Sequence, residues 1–513
     1  MYKKVNSVGL YGLNAFPVAA EIDAAKGVPS FEISGLGDQS VQESRTRIKT
    51  ALQNCGVLLK GQRIVVNLAP ASIKKTGSVF DLAVLVAVLS VSGLVKTDID
   101  NAAFFGEVSL GGDIAPVSGA LTMAIAAAKN GVDEIFLPIQ NAKEASVVDG
   151  VAVYGVKDVN SLILHLSGGR RITAEPRYVP TVSELLTELD FRDVKGQKTA
   201  KEALETAAAG FHNILLIGTP GTGKSMLAKR LPTILPAMLF DESLETTQIH
   251  SVAGILSGEN PLVTTRPFRP IIHTASAAGL VGGGSVPKPG EISLAHNGVL
   301  FLDELPEFER RTLETLRQPL EDGEVNISRA GGKATYPCSV MLVAAMNPCP
   351  CGNFGHPTKA CTCSNKAAAA YLGRISQPVL DRIDIQVEVA HVPYEDISSR
   401  GGDGDLSKQI RERVERAREI QRERFKGTDI RVNARIPAGK IHEYCVVEPK
   451  AGELLKSAFD KLGLSARAYD KILKVALTAA DLSGKSTIGT AQISRAIMYR
   501  SLDKKYWCPS RTG

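Results

Sequence analysis

Gly218-Thr219-Pro220-Gly221-Thr222-Gly223-Lys224-Ser225 fits the phosphate-binding pattern G-x-x-x-x-G-K-[ST], and the chain on either side of it points to the fold. Before the loop, Asn213-Ile214-Leu215-Leu216-Ile217 is a short apolar run that predicts a buried parallel strand. After it, Met226-Leu227-Ala228-Lys229-Arg230-Leu231 predicts a helix. Strand, glycine loop and helix let backbone N–H groups close around phosphates at the positive end of a helix dipole. In such a loop Lys224 reaches the β- and γ-phosphates, and Ser225 ligates magnesium. A ligand-free glycine turn is the competing reading, and the flanking strand and helix argue against it. ATP and magnesium are the expected ligands.

Further along, Gly298-Val299-Leu300-Phe301-Leu302-Asp303-Glu304 reads as an apolar strand that ends in two carboxylates. Ligands bind at such strand ends in a doubly wound sheet. Asp303 is expected to hold the magnesium, and Glu304 to orient and deprotonate the attacking water. Alone, the pair would be an acidic turn after a core strand. Asn347 follows the next apolar run, at Ala344-Ala345-Met346-Asn347, where an amide can bond the γ-phosphate or the lytic water. Alone, Asn347-Pro348 would be a turn.

The 513-residue length allows roughly two to four domains. A net charge of +6 permits a polyanionic partner without requiring one. The nearest approach to a membrane span, Leu82-Ala83-Val84-Leu85-Val86-Ala87-Val88-Leu89, is too short, and no secretory leader pattern opens the sequence. A cytoplasmic protein with no membrane partner is expected.

Residues 1–166 alternate β-rich runs with Ala-rich helical stretches, for example Ile64-Val65-Val66-Asn67-Leu68 before a helix over 81–91. A second helix over 121–130 precedes the strand Glu134-Ile135-Phe136-Leu137, which makes a mixed α/β domain. Turn-forming residues without periodicity mark a linker over 167–188. An α/β core carrying the phosphate loop occupies 189–392. Residues 393–513 turn helical and charged, with helices over 408–424, 451–463 and 468–483, and are read as a helical lid.

These motifs resemble the magnesium-chelatase-like branch of the AAA+ ATPases, most closely the ComM/YifB family of bacterial competence-associated proteins. The matching pieces are Arg266-Pro267-Phe268-Arg269, His273-Thr274-Ala275-Ser276, Gly282-Gly283-Gly284 and Pro289-Gly290-Glu291-Ile292-Ser293-Leu294-Ala295-His296-Asn297-Gly298. The family usually has two adjacent histidines where this chain has Ile272-His273. The resemblance implies that Asn347 is the first sensor and that Leu380-Asp381-Arg382-Ile383-Asp384 is the arginine-finger segment. Arg382 would then enter a neighbouring subunit's site, with Arg374 as a second candidate for that interface. It further implies that Arg467, in Ser465-Ala466-Arg467, is the second sensor, touching the γ-phosphate of its own subunit. A site shared between subunits implies a ring, a homohexamer. The run Val325-Asn326-Ile327-Ser328-Arg329, turn Ala330-Gly331-Gly332 and Lys333-Ala334-Thr335-Tyr336 predicts a β-hairpin like the one inserted in this branch. Arg329 and Lys333 near its tip are candidates for nucleic-acid contact, and a plain solvated tip is the equal alternative.

Cys349-Pro350-Cys351 and Cys361-Thr362-Cys363 bracket a polar loop that holds His356, an insertion over 349–363. Four thiolates can close a tetrahedral structural zinc site. The spacing is tighter than the usual C-x-x-C, and free reduced thiols are the alternative. Cys55, Cys338, Cys445 and Cys508 are scattered.

The first domain resembles the proteolytic domain of Lon proteases, which has a ribosomal S5 domain 2-like fold. The similarity lies in Lys74-Lys75-Thr76-Gly77-Ser78-Val79-Phe80-Asp81, in Phe105-Gly106-Glu107-Val108-Ser109-Leu110-Gly111-Gly112 and in Pro116-Val117-Ser118-Gly119-Ala120-Leu121-Thr122. In that register the nucleophile falls on Val79 and the catalytic lysine on Thr122, with Ser78 one residue away, so the serine–lysine dyad is missing. A role in ring assembly or DNA contact is expected instead, with Lys74 and Lys75 as candidate phosphate contacts. The family resemblance implies a hexameric helicase acting on branched or single-stranded DNA in recombination and transformation. A chelatase-partner ATPase and an ATP-dependent protease are the alternatives.

Overall fold

The computed structural model describes residues 1–59, 61–179, 189–256, 260–284, 286–329, 332–392 and 405–507. The second half of the expected linker, the hairpin turn at Ala330-Gly331, the start of the expected lid at 393–404 and Cys508 lie outside the described residues.

Among the described residues, seven strands of the first domain form one sheet. Its order is Ser30–Ser34, Gln62–Ala69, Asn14–Lys26, Tyr2–Tyr11, Ala102–Phe104, Glu134–Pro138, Ala152–Val156. Strand periodicity sends Phe104 and Phe136 to one face and Ala103, Ile135 and Leu137 to the other. Helices Gln39–Asn54, Asp81–Val91 and Val159–Leu166 cover the first face, and Ala120–Lys129 and Ile139–Ala145 cover the second. The Asp81–Val91 helix is apolar all round and accordingly buried from Asp81 to Ser90. Residues 167–179 run as irregular chain along this domain, with Glu175 N–H donating to Val153 O at 2.7 Å and Tyr178 N–H to Ser146 O at 3.1 Å.

The second sheet is wholly parallel, in the order Phe268–Ile271, Val299–Leu302, Met341–Met346, Ile214–Ile217, Ile385–Glu388. Every residue of Ile214–Ile217 is buried, as befits a strand covered on both faces. Ile214 sits opposite both Val343 and Ile385, so Gly218 and Asn347 leave the sheet at the same end, and Asp303 leaves the adjoining strand there as well.

Four longer helices follow, Ser407–Arg424, Pro449–Leu462, Ala466–Leu482 and Thr490–Met498. Their apolar faces are continuous with the sheet core, since Ile410, Val414, Leu473 and Ala476 share one cluster with Ile214, Leu216 and Val343. The Ala466–Leu482 helix docks at the end of the sheet away from the phosphate loop. There Lys471 Nζ lies 3.2 Å from Asp384 and donates to Ile383 O at 2.8 Å, and Thr478 bonds His212 at 2.8 Å. The Ala466–Leu482 helix therefore does not lie over the phosphate loop of its own chain. The charges around Asp384 account for the placement. Burial alone would push its carboxyl up, but Lys471, His212 and Lys474 hold it below the ordinary carboxylate range.

Candidate functional site

The phosphate loop turns sharply out of its strand. Gly218 N–H donates to Met346 O at 3.2 Å, and a Cβ on Gly218 would lie 2.5 Å from Val389 O, so only glycine fits. Gly223, at φ +91°, opens the Lys224–Arg230 helix. Lys224 is buried and donates to Gly218 O at 2.7 Å, Thr219 O at 3.0 Å and Asn347 Oδ1 at 3.1 Å. Burial lowers its pKa. The Ser225 hydroxyl donates to Asp303 Oδ2 at 2.7 Å, which brings together the hydroxyl and carboxylate expected to share magnesium. Thr222 closes the loop through a 2.9 Å bond to Thr219 O.

Glu304 adopts φ +52°, a left-handed conformation unusual outside glycine, and its N–H donates to Asp303 Oδ1 at 3.0 Å. Its half-exposed carboxylate stands 3.7 Å from His273 Nδ1. Strain of this kind concentrates at functional positions.

Two further residues support the site. Gln197 Nε2 donates to Ala390 O at 2.6 Å and Thr222 O at 3.2 Å, tying the segment before the core's first long helix to the loop. A small cleft lined by Gly196, Lys198, Glu388 and His391 opens beside it. The Tyr371 hydroxyl bonds backbone at Asn347, and burial, with the charge of Glu307, pushes its pKa well above the ordinary value. A helical Tyr distant in sequence carries no motif. Gln197 stands in Asp193-Val194-Lys195-Gly196-Gln197, whose turn chemistry before a helix was the available signal.

Two of the three arginines lie elsewhere. Arg374 donates to Glu307 at 2.8 Å, beside the acidic pair of its own chain. Arg382 is mostly buried, pairs with Glu321, and leaves its Nε without a partner among the described residues. Arg467 is largely exposed and reaches Asp381 at 3.3 Å. Asp381 and Arg382 precede the strand Ile385–Glu388, at the end opposite the phosphate loop. Four strand residues at about 3.3 Å each put roughly 13 Å between those ends. Arg467 therefore stands with Arg382 and not, as expected, at the γ-phosphate position of its own chain.

The hairpin Glu324–Arg329 and Gly332–Pro337 forms as expected, and Arg329 Nε donates to Gly284 O at 3.2 Å. The first domain touches it, since a Cβ on Gly12 would lie 2.8 Å from Ala334 Cβ. Lys75, expected as a phosphate contact, is fully buried with Nζ bonded to Pro70 O, and burial lowers its pKa. Ser78 pairs with Glu107, and Thr122 is buried. Neither meets a lysine among the described residues.

The sulfurs of Cys349, Cys351, Cys361 and Cys363 lie within 4.8 Å of one another, with separations of 3.5, 3.6 and 3.7 Å among the first three. Zn–S bonds of about 2.3 Å give a tetrahedron with edges of about 3.8 Å, so the donor set fits zinc. His356 is not part of it, because its Nδ1 accepts from Thr358 and Lys359 N–H at 3.1 and 3.0 Å. A Cβ on Gly352 would lie 2.6 Å from Pro220, so the cluster abuts the phosphate loop.

Three family patterns match in sequence. Residues 190–397 match "Magnesium chelatase, subunit ChlI", residues 20–141 match "Subunit ChlI of Mg-chelatase", and residues 404–500 match its C-terminal part. Competence protein ComM of Haemophilus influenzae is 41% identical over 504 residues, covering 96% of each chain. The chain belongs to the magnesium-chelatase-like ComM/YifB family. YifB of Escherichia coli is 38% identical over 501 residues, covering 98% of this chain and 97% of its own. The 67 kDa magnesium-chelatase subunit of Chlorobaculum parvum is 29% identical over 160 residues, 31% of this chain and 23% of its own. This ComM/YifB protein is thus a member of an AAA+ ATPase family, and no helix among its described residues is long and apolar enough to cross a membrane.

Proposed function

We propose that the protein is an ATP-driven DNA motor, a cytoplasmic homohexameric helicase that promotes branch migration in homologous recombination and natural transformation. One observation carries the reading. Lys224 bonds Asn347 and Ser225 bonds Asp303 at one end of the sheet, while Arg382 and Arg467 stand at the far end, a separation that supports a site shared between two chains. Full-length similarity to a competence protein directs the motor toward DNA. The partial match to a chelatase subunit gives little support to metal insertion.

Gly218–Ser225 would hold the triphosphate, and Ser225 with Asp303 the magnesium, whose charge would offset that developing on the phosphate oxygens. Glu304 takes a proton from the attacking water, with His273 beside its carboxylate. Water adds to the γ-phosphorus as the β–γ bridging oxygen leaves, giving ADP and phosphate. Lys224 and Asn347 orient the γ-phosphate, and Tyr371 fixes Asn347. Arg382 of a neighbouring subunit stabilises the transferring phosphoryl group from outside. The four-cysteine loop would hold a structural zinc that braces it against Pro220. The test is ATP hydrolysis and strand exchange with branched DNA, wild type beside Glu304→Gln. Stimulation and exchange by the wild type alone are expected. An assembled wild-type ring that shows neither would overturn the proposal.

A further inference from the structure

The first domain carries a groove of about 630 Å³ between the Gln39–Asn54 helix and the edge of its sheet at Ser30–Ser34 and Gln62–Ala69. Arg45, Lys49 and Gln53 line it at four-residue spacing, so they form one stripe along the helix. Phe31, half-buried on the edge strand, forms part of the floor, and Gln62 supplies an amide on the same wall.

The charge of this groove is uncompensated. Arg45 and Lys49 are exposed, and neither has an ion-pair or hydrogen-bond partner among the described residues. Among those residues no carboxylate lines the groove. Arg47, between them in sequence, turns inward and is neutralised by Asp81 at 2.8 Å. The cleft beside Arg266 and Arg435 differs, because Glu242, Glu245 and Glu321 share its lining. The groove also faces away from the ATPase core. Its helix covers one face of the sheet, whereas the Ala120–Lys129 helix covers the other and meets the core, where Gly119 N–H donates to Ser251 O at 2.9 Å.

Cationic side chains one helical turn apart, about 6 Å along the axis, suit successive phosphates of an extended strand. A basic groove with an aromatic surface is the general design for gripping single strands without reading their sequence. We infer that this groove is a second nucleic-acid site, which holds the backbone of a single DNA strand with Arg45 and Lys49 on phosphates and Phe31 stacked on a base. The inference rests on the DNA-motor reading and names where, outside the ring channel, a displaced strand is held.

The test measures binding of a labelled single-stranded oligonucleotide to the full chain across a salt series, with wild type beside Arg45→Ala/Lys49→Ala. Losing two phosphate contacts should flatten the slope of log affinity against log salt by about 1.4 and weaken binding roughly tenfold at low salt. Arg45→Lys/Lys49→Arg should keep both, and ATP hydrolysis without DNA should be unchanged in either variant. Unaltered affinity and slope in the alanine variant would overturn the groove site while leaving the motor reading intact. A wild type that binds no DNA would overturn both. Equal loss on a duplex of the same length would overturn the assignment to a single strand.

Discussion

At one end of the parallel sheet, Lys224 bonds Asn347 and Ser225 bonds Asp303 within one chain. At the other end, Arg382 and Arg467 rest on Glu321 and Asp381, within reach of no phosphate loop of their own. The first end needs only ligands. In the proposed ring, the second needs another copy of the chain. In the proposed ring the fold divides the reaction: groups that must be preorganised are held by the core, while the arginines proposed to act on a neighbour are held by ion pairs that can exchange carboxylate for phosphate.

Arg382→Ala breaks the comparison most directly. Its ATP turnover should fall roughly 10³-fold, as for other arginines acting in trans, with nucleotide affinity nearly unchanged. Steady-state kinetics beside equilibrium nucleotide binding check this, and a large loss of affinity would place Arg382 in its own chain's site. Glu304→Gln should cost roughly 10²–10⁴-fold in turnover through lost proton transfer, again with binding kept.

Asp384→Asn tests the docking that carries Arg467 to the far end. Removing one partner of a buried ion pair should cost about 3 kcal/mol, read in denaturant unfolding near neutral pH. Because the fold lowers this carboxyl's pKa, its contribution is present above the ordinary range near pH 4 and is lost as pH falls through the folded value. The gap between wild type and variant should therefore narrow in acid, and a gap independent of pH would refute the ion-pair origin. The smallest effect is that of Tyr371→Phe, where losing one hydrogen bond behind Asn347 should cost about 1 kcal/mol of transition-state stabilisation, or several-fold in turnover.

Much of the first end was legible in sequence, because its signals are local. An apolar run, a glycine loop and a helix start are contiguous, and Asp303, Glu304 and Asn347 each follow an apolar strand directly. The far end was less legible. Nothing near Arg467 says where its helix docks, which depends on Lys471 and Thr478 meeting Asp384 and His212 across long sequence separations. Lys75 departs from expectation for a related reason: a lysine in a polar stretch reads as exposed, yet here the turn after Pro70 folds over it. The four cysteines were legible as a group, but their contact with Pro220 through Gly352 was not.

The central claim, one ATP site built from two chains, is tested by mixing Lys224→Ala with Arg382→Ala, each inactive alone. In a ring assembled from equal amounts, about a quarter of the interfaces join an intact phosphate loop to an intact arginine. The account predicts that mixing restores about that fraction of wild-type ATP turnover. If each variant stays inactive after subunit exchange has been shown, the arginine acts within its own chain and the account is wrong.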